Sequence, residues 1–153
     1  MNSRMMKYLA AGVLGLAVSA GAAMAGPADD AIKGRQGCMK ANGGAMGVYV
    51  PMIKGEKPYD AAAVTDAIAK NEAACADWAK WWGADTQKGE TAETWAKPEV
   101  WTDAAGFEAA GGAYGKGMEA LKASTDEASF KAAFNELGGA CKGCHEKFRR
   151  PKE

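Results

Sequence analysis

Apolar and polar residues follow one another along most of this chain with the three- and four-residue spacing of an amphipathic helix. Four such stretches cover residues 27–53, 60–82, about 98–123 and about 126–150. The last has the clearest stripe, whose members are separated by steps of four and three residues: Phe130, Phe134, Leu137, Cys141, Cys144 and Phe148. The first stretch has an inner stripe that also carries the polar Arg35 and Asn42: Ile32, Met39, Met46, Tyr49 and Ile53. The second has one with Asn71 as its polar exception: Val64, Ile68, Cys75, Trp78 and Trp82. Four amphipathic helices joined mostly by short loops predict an all-α fold, an antiparallel up-down-up-down four-helix bundle.

Residue types at the ends of these stretches support the boundaries. Pro27 suits the first helical position, where its missing N–H is not needed. Asp60 is a suitable N-cap for the second helix, and Gly83 is a suitable stop. Residues 84–97 are polar and rich in glycine and threonine, so they form the one longer connection.

The N-terminal region has the pattern of a secretory signal peptide. Arg4 and Lys7 precede an apolar stretch over residues 8–23, and an Ala-Met-Ala cleavage pattern ends at Ala25. A membrane anchor is the alternative, but the stretch is short for a spanning helix and rich in alanine and glycine. The sequence predicts cleavage after residue 25, export to the periplasm, and one mature domain over residues 26–153.

Charge excludes some classes of partner. The chain has 19 basic and 19 acidic residues, and loss of Arg4 and Lys7 leaves 17 basic against 19 acidic. This balance gives no general affinity for nucleic acid, and none for a membrane surface after signal cleavage. A local cluster of basic residues near the C-terminus fits either a docking patch or a solvated helix end: Lys142, Lys147, Arg149, Arg150 and Lys152.

Residues 141–145 form a Cys-x-x-Cys-His pentad, the pattern of covalent c-type haem attachment. Two thiols at this spacing reach the two vinyl groups of one haem, and the adjacent imidazole reaches the iron. A zinc site needs more Cys or His ligands, and His145 is the only histidine. A thioredoxin-like motif needs a βαβ context, which this helical pattern lacks. Cys141 and Cys144 lie on the core stripe, so we expect the haem to enter the bundle interior.

Two further cysteines, Cys38 and Cys75, are not needed for haem. Cys38 lies 18 residues before Glu56, and Cys75 lies 18 residues after Lys57, so an antiparallel helix pair joined by this turn brings them to the same height. An exported protein permits oxidation, and we hypothesise a Cys38–Cys75 disulfide. Helix axes about 8–10 Å apart are wide for a disulfide, which leaves two free thiols as the alternative. Glycines on the first helix favour a closer approach: Gly34, Gly37, Gly43 and Gly44.

A haem motif at the C-terminal end of a four-helix chain resembles the class II cytochromes c, the cytochrome c′ and cytochrome c-556 family. The resemblance extends over nearly the whole mature chain. It is carried by the pentad and by four segments: 31–36 (AIKGRQ), 54–62 (KGEKPYDAA), 97–103 (KPEVWTD) and 144–149 (CHEKFR).

The resemblance implies roles for individual residues. Cys141 and Cys144 would hold one haem c covalently, and His145 would be the proximal iron ligand. Arg35 matches a first-helix arginine that binds a haem propionate, the alternative being a surface ion pair. Met39, four residues further on, matches the methionine that closes the sixth iron position in the c-556 branch. In cytochrome c′ that position is apolar and the iron is five-coordinate.

Other ligands for the sixth position remain open from the sequence. They are a lysine, the Cys38 thiolate, no ligand at all, or another methionine: Met46, Met52 or Met118. Plain core packing is the ordinary role of a methionine on a helix stripe. Most of the five tryptophans are interpreted as bundle packing or loop anchors, and Phe148 is expected near the proximal imidazole.

Two functions follow from the two forms of coordination. A His145/Met39 pair favours a periplasmic electron carrier that exchanges electrons with redox partner proteins. A vacant distal site favours a protein that binds nitric oxide or carbon monoxide. No second titratable group is placed to act as acid or base, so an enzyme is not expected. The resemblance also implies a homodimer through the first two helices.

Overall fold

The computed structural model describes residues 26–151, and these residues form an all-α fold. The four long helices are α1 (Pro27–Ile53), α2 (Ala61–Cys75), α4 (Ala104–Lys122) and α5 (Glu127–Phe148), with a short α3 (Glu99–Thr102) before α4. The helix α1 packs against α2, and α4 packs against α5. The predicted four-helix architecture is therefore confirmed. The only β-pairing in the described part is an isolated bridge between Ala96 and Arg149.

Local capping explains where the helices begin. Pro27 opens α1 as predicted. The carboxylate of Asp60 accepts hydrogen bonds from the backbone N–H groups of Ala62 and Ala63, both at 3.0 Å, and so caps α2. Asp126 and Ser129 form a reciprocal capping box at the start of α5.

The predicted second helix over residues 60–82 is too long. Its α-helical part ends at Cys75, and Trp78–Trp82 forms a 3₁₀ helix. With three residues per turn, Trp78 and Trp81 share one face, and their ring centroids are 6.4 Å apart. The Trp81 ring fills the space at Gly34, where an added Cβ would lie 2.7 Å from its Nε1. Tryptophan spacing of three and four residues is compatible with both helix types, so periodicity did not distinguish them.

The predicted third helix is also divided. Asp103 leaves the helical region with φ −124° and ψ 61°, which separates α3 from α4. Its carboxylate then accepts a hydrogen bond from the backbone N–H of Gly106 at 3.1 Å, so it acts as the N-cap of α4. The single helix predicted over about residues 98–123 is therefore two consecutive helices, α3 and α4.

One hydrophobic core joins the four long helices. At the α4–α5 contact, a Cβ on Gly117 would lie 2.9 Å from Cα of Leu137, so these helices approach closely because residue 117 is glycine. The core includes these buried side chains: Tyr49, Met52, Val64, Ile68, Met118, Leu121, Phe130 and Leu137.

The polar connection over residues 84–97 is attached both to α1 and to the residues around the end of α5. The buried carboxylate of Asp29 accepts hydrogen bonds from the Thr91 hydroxyl and from the backbone N–H groups of Thr91 and Ala92. On the same helix, Gln36 donates to the Glu93 carbonyl at 2.8 Å. Just after α5, the N–H of Arg150 donates to the Trp95 carbonyl at 2.8 Å. These attachments give the connection a defined course.

Asp29 makes this attachment sensitive to acid. The hydrogen bond from the Thr91 hydroxyl, and then that from the Ala92 N–H, lowers the pKa of Asp29 to about 2. Because the folded-state pKa lies below the unfolded value of about 4, the stabilising contribution is complete above about pH 4 and is lost as the pH falls through about 2.

We expect Asp29→Asn to lower the thermal unfolding midpoint at pH 5 to 7, and this difference from wild type to shrink as the pH approaches 2. Thermal unfolding followed by circular dichroism over this pH range measures it. Asp30→Asn, at an exposed position of the same turn, is the matched control and should leave the midpoint nearly unchanged. A pH-independent difference for Asp29→Asn would contradict the assigned role of its charge.

No helix within residues 26–151 is both long enough and apolar enough to cross a membrane. The signal peptide and its cleavage after Ala25 lie outside the described residues.

Candidate haem site

The three functional residues of the pentad lie in the last two turns of α5. Cys141 and Cys144 are partly buried, and Cys141 packs against the hydrophobic core. Burial raises the pKa of both thiols. Burial, and then the charge of Arg149, lowers the pKa of His145, so its imidazole is neutral at pH 7 and able to bind a metal.

Arg35 lies inside the bundle and not on its surface. It is 5% exposed, so the alternative of a surface ion pair is wrong. Its Nη2 donates to the carbonyl of Thr86 at 2.8 Å. Its guanidinium carbon lies 4.6 Å from the centroid of the Trp82 ring and 5.8 Å from that of Trp101. Among the described residues, Nη1 has no hydrogen-bond partner, so this cation has an unused donor.

The aromatic side chains around Arg35 form one cluster, made of Trp78, Trp82, Trp101, Phe107 and Phe148. The Trp82 and Phe107 ring centroids are 4.7 Å apart, and those of Phe107 and Phe148 are 5.3 Å apart. The indole N–H of Trp101 donates to the Trp82 carbonyl at 3.0 Å. This aromatic cluster connects the Arg35 region to the end of α5. Contact between Phe148 and the imidazole of His145 stays a prediction.

The methionines differ sharply in their surroundings. Met52 and Met118 belong to the core, with 4% and 9% exposure, and Met46 packs against it. Met39 is 39% exposed, although the stripe pattern predicted that it faces the interior. Its thioether is therefore not used in core packing.

A disulfide joins Cys38 to Cys75, as predicted, and connects α1 to α2. The two Cα atoms are 4.8 Å apart, within the range that a disulfide spans. The glycines expected to favour a closer approach do not form this contact, because those at 37, 43 and 44 face open space and Gly34 faces Trp81. The bridge also removes the Cys38 thiolate from the candidate iron ligands.

A neutral polar network lies beside this disulfide. The Tyr114 hydroxyl is 2.9 Å from Oδ1 of Asn42 and 2.9 Å from Oδ1 of Asn71. The amide of Asn42 also donates to the Cys38 carbonyl at 3.0 Å. The network joins α1, α2 and α4, which explains why two asparagines occupy otherwise apolar stripes.

The basic residues near the pentad are partly neutralised. Lys142 lies 3.8 Å from Glu146, Arg150 lies 3.7 Å from Glu93, and Lys147 pairs with Asp103. All three are exposed ion pairs on or near the end of α5, which favours a solvated helix end over a strongly positive docking patch.

The side chains present fit a covalently attached haem. α5 offers two thiols at the required spacing and a neutral imidazole next to the second. Arg35 offers a buried cationic donor that suits a propionate carboxylate. The described fold and this donor set define a haem-binding four-helix bundle, the class to which c-type cytochromes of this architecture belong.

Comparison with known proteins supports this class. The family model described as Cytochrome C' matches residues 30–149. A cytochrome c' from Rubrivivax gelatinosus is 39% identical over 123 residues, which cover 78% of this chain and 94% of that protein. A cytochrome c-556 from Agrobacterium fabrum is 32% identical over 123 residues, covering 79% and 82%.

Solved structures show the same fold. The crystal structure of the Rubrivivax gelatinosus cytochrome c' has a TM-score of 0.73 and 37% identity, covering 80% of this chain and 97% of that one. A nitric oxide complex of a cytochrome c prime variant from Alcaligenes xylosoxidans has a TM-score of 0.71 and 31% identity, covering 81% and 97%. This chain belongs to the cytochrome c' family, the class II cytochromes c, and it is a monohaem cytochrome with covalently attached haem c.

Some residues of the site were missed by the sequence analysis. Thr86 binds Arg35 through its backbone carbonyl, which no side-chain pattern reveals. Trp82 was interpreted as packing, although its place on the stripe of the second predicted helix put it on the inner face. The stripe of the first predicted helix correctly placed Arg35 inside the bundle.

Proposed function

We propose that this protein is an electron carrier of the periplasm, in which Cys141 and Cys144 would hold the haem and His145 and Met39 would bind its iron. Iron that alternates between the ferric and ferrous states would supply the redox chemistry. A thioether opposite an imidazole raises the reduction potential relative to stronger donors, which suits electron transfer. In this proposal the protein is a carrier and not an enzyme.

The observation that carries the choice of Met39 is its environment. It lies one helical turn beyond the buried Arg35, and its side chain is 39% exposed. The competing methionines pack in or against the core, and Cys38 is in a disulfide. Met39 is thus the candidate thioether that is not part of the core packing.

The other residues of the site would hold and orient the cofactor. Thioether bonds from Cys141 and Cys144 would fix the macrocycle to α5, which also fixes its position relative to His145. The aromatic cluster would exclude water from one side of the site. Arg35 would bind a propionate through Nη1, while its Nη2 is held by Thr86.

The optical spectrum of the purified ferric protein at neutral pH tests the proposal. Two strong-field axial ligands give a low-spin spectrum. A high-spin spectrum would contradict the proposed binding of iron by both His145 and Met39, and with it the electron-carrier proposal. The intact mass of the same sample, expected to equal residues 26–153 plus one haem, tests export, cleavage and covalent attachment together.

A five-coordinate protein that binds nitric oxide or carbon monoxide is the second candidate. It is favoured by the relatives named cytochrome c' and by a related structure that is a nitric oxide complex. A high-spin ferric spectrum, with rapid carbon monoxide binding after reduction, would support this candidate in place of the first.

We also propose, from the family resemblance, that the protein exchanges electrons with periplasmic redox proteins and forms a homodimer through α1 and α2. The paired charges around α5 argue that partner docking does not depend on one dominant basic patch.

A further inference from the structure

Two buried nitrogen donors on neighbouring side chains have no hydrogen-bond partner within residues 26–151. They are Nη1 of Arg35 and Nε1 of Trp82. The Arg35 guanidinium carbon lies 4.6 Å from the centroid of the Trp82 ring, so both donors belong to one small region. More than nine in ten buried polar groups in proteins are hydrogen-bonded. Two unpaired donors side by side therefore point to one shared acceptor.

The surrounding contacts fix where these donors are. Nη2 of Arg35 is held by the Thr86 carbonyl at 2.8 Å. The backbone carbonyl of Trp82 accepts the indole N–H of Trp101 at 3.0 Å, and the Trp82 ring packs on Phe107 at 4.7 Å. Both side chains are thus positioned by contacts that leave Nη1 and Nε1 unused.

The chemistry of the pair selects a carboxylate. Arg35 is a permanent cation, and in the described part no acidic side chain forms an ion pair with it. A carboxylate has two acceptor oxygens, so one can accept from a guanidinium while the other accepts from an indole N–H. A single negative charge would then satisfy both donors and compensate the buried cation.

We propose that Trp82 is a second propionate-binding residue, whose indole N–H and Arg35 bind the same haem carboxylate. This inference rests on the proposed haem site, and it assigns Trp82 a role beyond the aromatic packing expected from the sequence. Trp82 orients the carboxylate and partly compensates its charge. The negative charge of a propionate stabilises ferric iron, so losing a donor to it lowers the reduction potential.

The test uses the haem-loaded protein with Trp82 replaced by phenylalanine or by 3-benzothienylalanine, which keeps the shape of tryptophan but has sulfur in place of the N–H. We expect both variants to shift the propionate bending band in the resonance Raman spectrum and to lower the reduction potential at pH 8. Trp95→Phe is the matched control, because Trp95 lies outside the aromatic cluster and is 41% exposed, and it should change neither property. If Trp82→Phe does not fold, the isosteric variant decides alone.

Arg35→Gln separates this inference from the proposed function. A band that moves in Arg35→Gln but not in either Trp82 variant would overturn the role of Trp82 and leave the haem site intact. If the band moves neither in Arg35→Gln nor in the Trp82 variants, the carboxylate lies elsewhere, and the propionate-binding roles of Arg35 and Trp82 are both wrong. The Raman band reports the carboxylate and the optical spectrum reports the iron ligands, so a high-spin spectrum would overturn the Met39 ligation without affecting this test.

Discussion

Replacing Met39 by alanine is expected to convert the ferric protein from low spin to high spin and to let the ferrous protein bind carbon monoxide readily. Alanine has no donor atom, so the sixth iron position would be left open. Met39 is 39% exposed and outside the core, so the loss of its side chain should cost little packing energy. Optical spectra of the ferric and ferrous forms, with and without carbon monoxide, measure the change.

Met46→Ala is the matched control, since Met46 lies two turns further along the same stripe and packs against the core. It should keep the wild-type spectrum. Met118→Ala should also keep it, at a packing cost of about 2–5 kcal/mol because that side chain is buried. A low-spin spectrum that survives in Met39→Ala means that another group is the ligand.

Removing the Cys38–Cys75 disulfide is expected to have the second large effect, on stability. The bridge spans 37 residues of sequence, and closing a loop of this length removes unfolded-state entropy worth about 4 kcal/mol at most. We expect the Cys38→Ala/Cys75→Ala double variant to lose about 2–4 kcal/mol of unfolding free energy. Urea unfolding of the haem-loaded protein at constant pH measures it.

The single variant Cys38→Ala provides the comparison, because breaking the bridge from one side should cost about as much as removing both cysteines. Alkylation of the native, unreduced protein followed by mass spectrometry checks the bridge directly. With Cys141 and Cys144 in thioether bonds, no thiol should react. Two alkylated residues, Cys38 and Cys75, would show that the bridge does not form.

The parts of the fold that the sequence predicted well depend on local chemistry. Pro27 and the break after residue 53 give the bounds of α1, which the structure reproduces. The cysteine pairing followed from equal spacing about one turn, a geometric argument that needs only two antiparallel helices. Likewise, a charge on an apolar stripe predicted that Arg35 would be buried with a partner.

The parts that were not predicted depend on contacts between distant residues. Thr86 meets Arg35 across 51 residues through a backbone carbonyl, which carries no sequence signature. In the 3₁₀ helix that follows Cys75, Trp81 fills the space at Gly34, which belongs to another helix. Met39 lies on the predicted inner stripe and is nevertheless 39% exposed. Periodicity thus identifies the inner face of a helix, but it does not show whether another element covers each position on that face.

The attachments of residues 84–97 also have a consequence for the order of folding. The α1–α2 and α4–α5 pairs form through local turns, whereas the connection contacts α1 across 51, 57 and 62 residues. Closing a long loop costs more conformational entropy than closing a short turn. Within residues 84–97, no regular ladder of backbone hydrogen bonds offsets this entropy cost. We infer that the two helical hairpins pack together first and that this segment attaches to them late in folding.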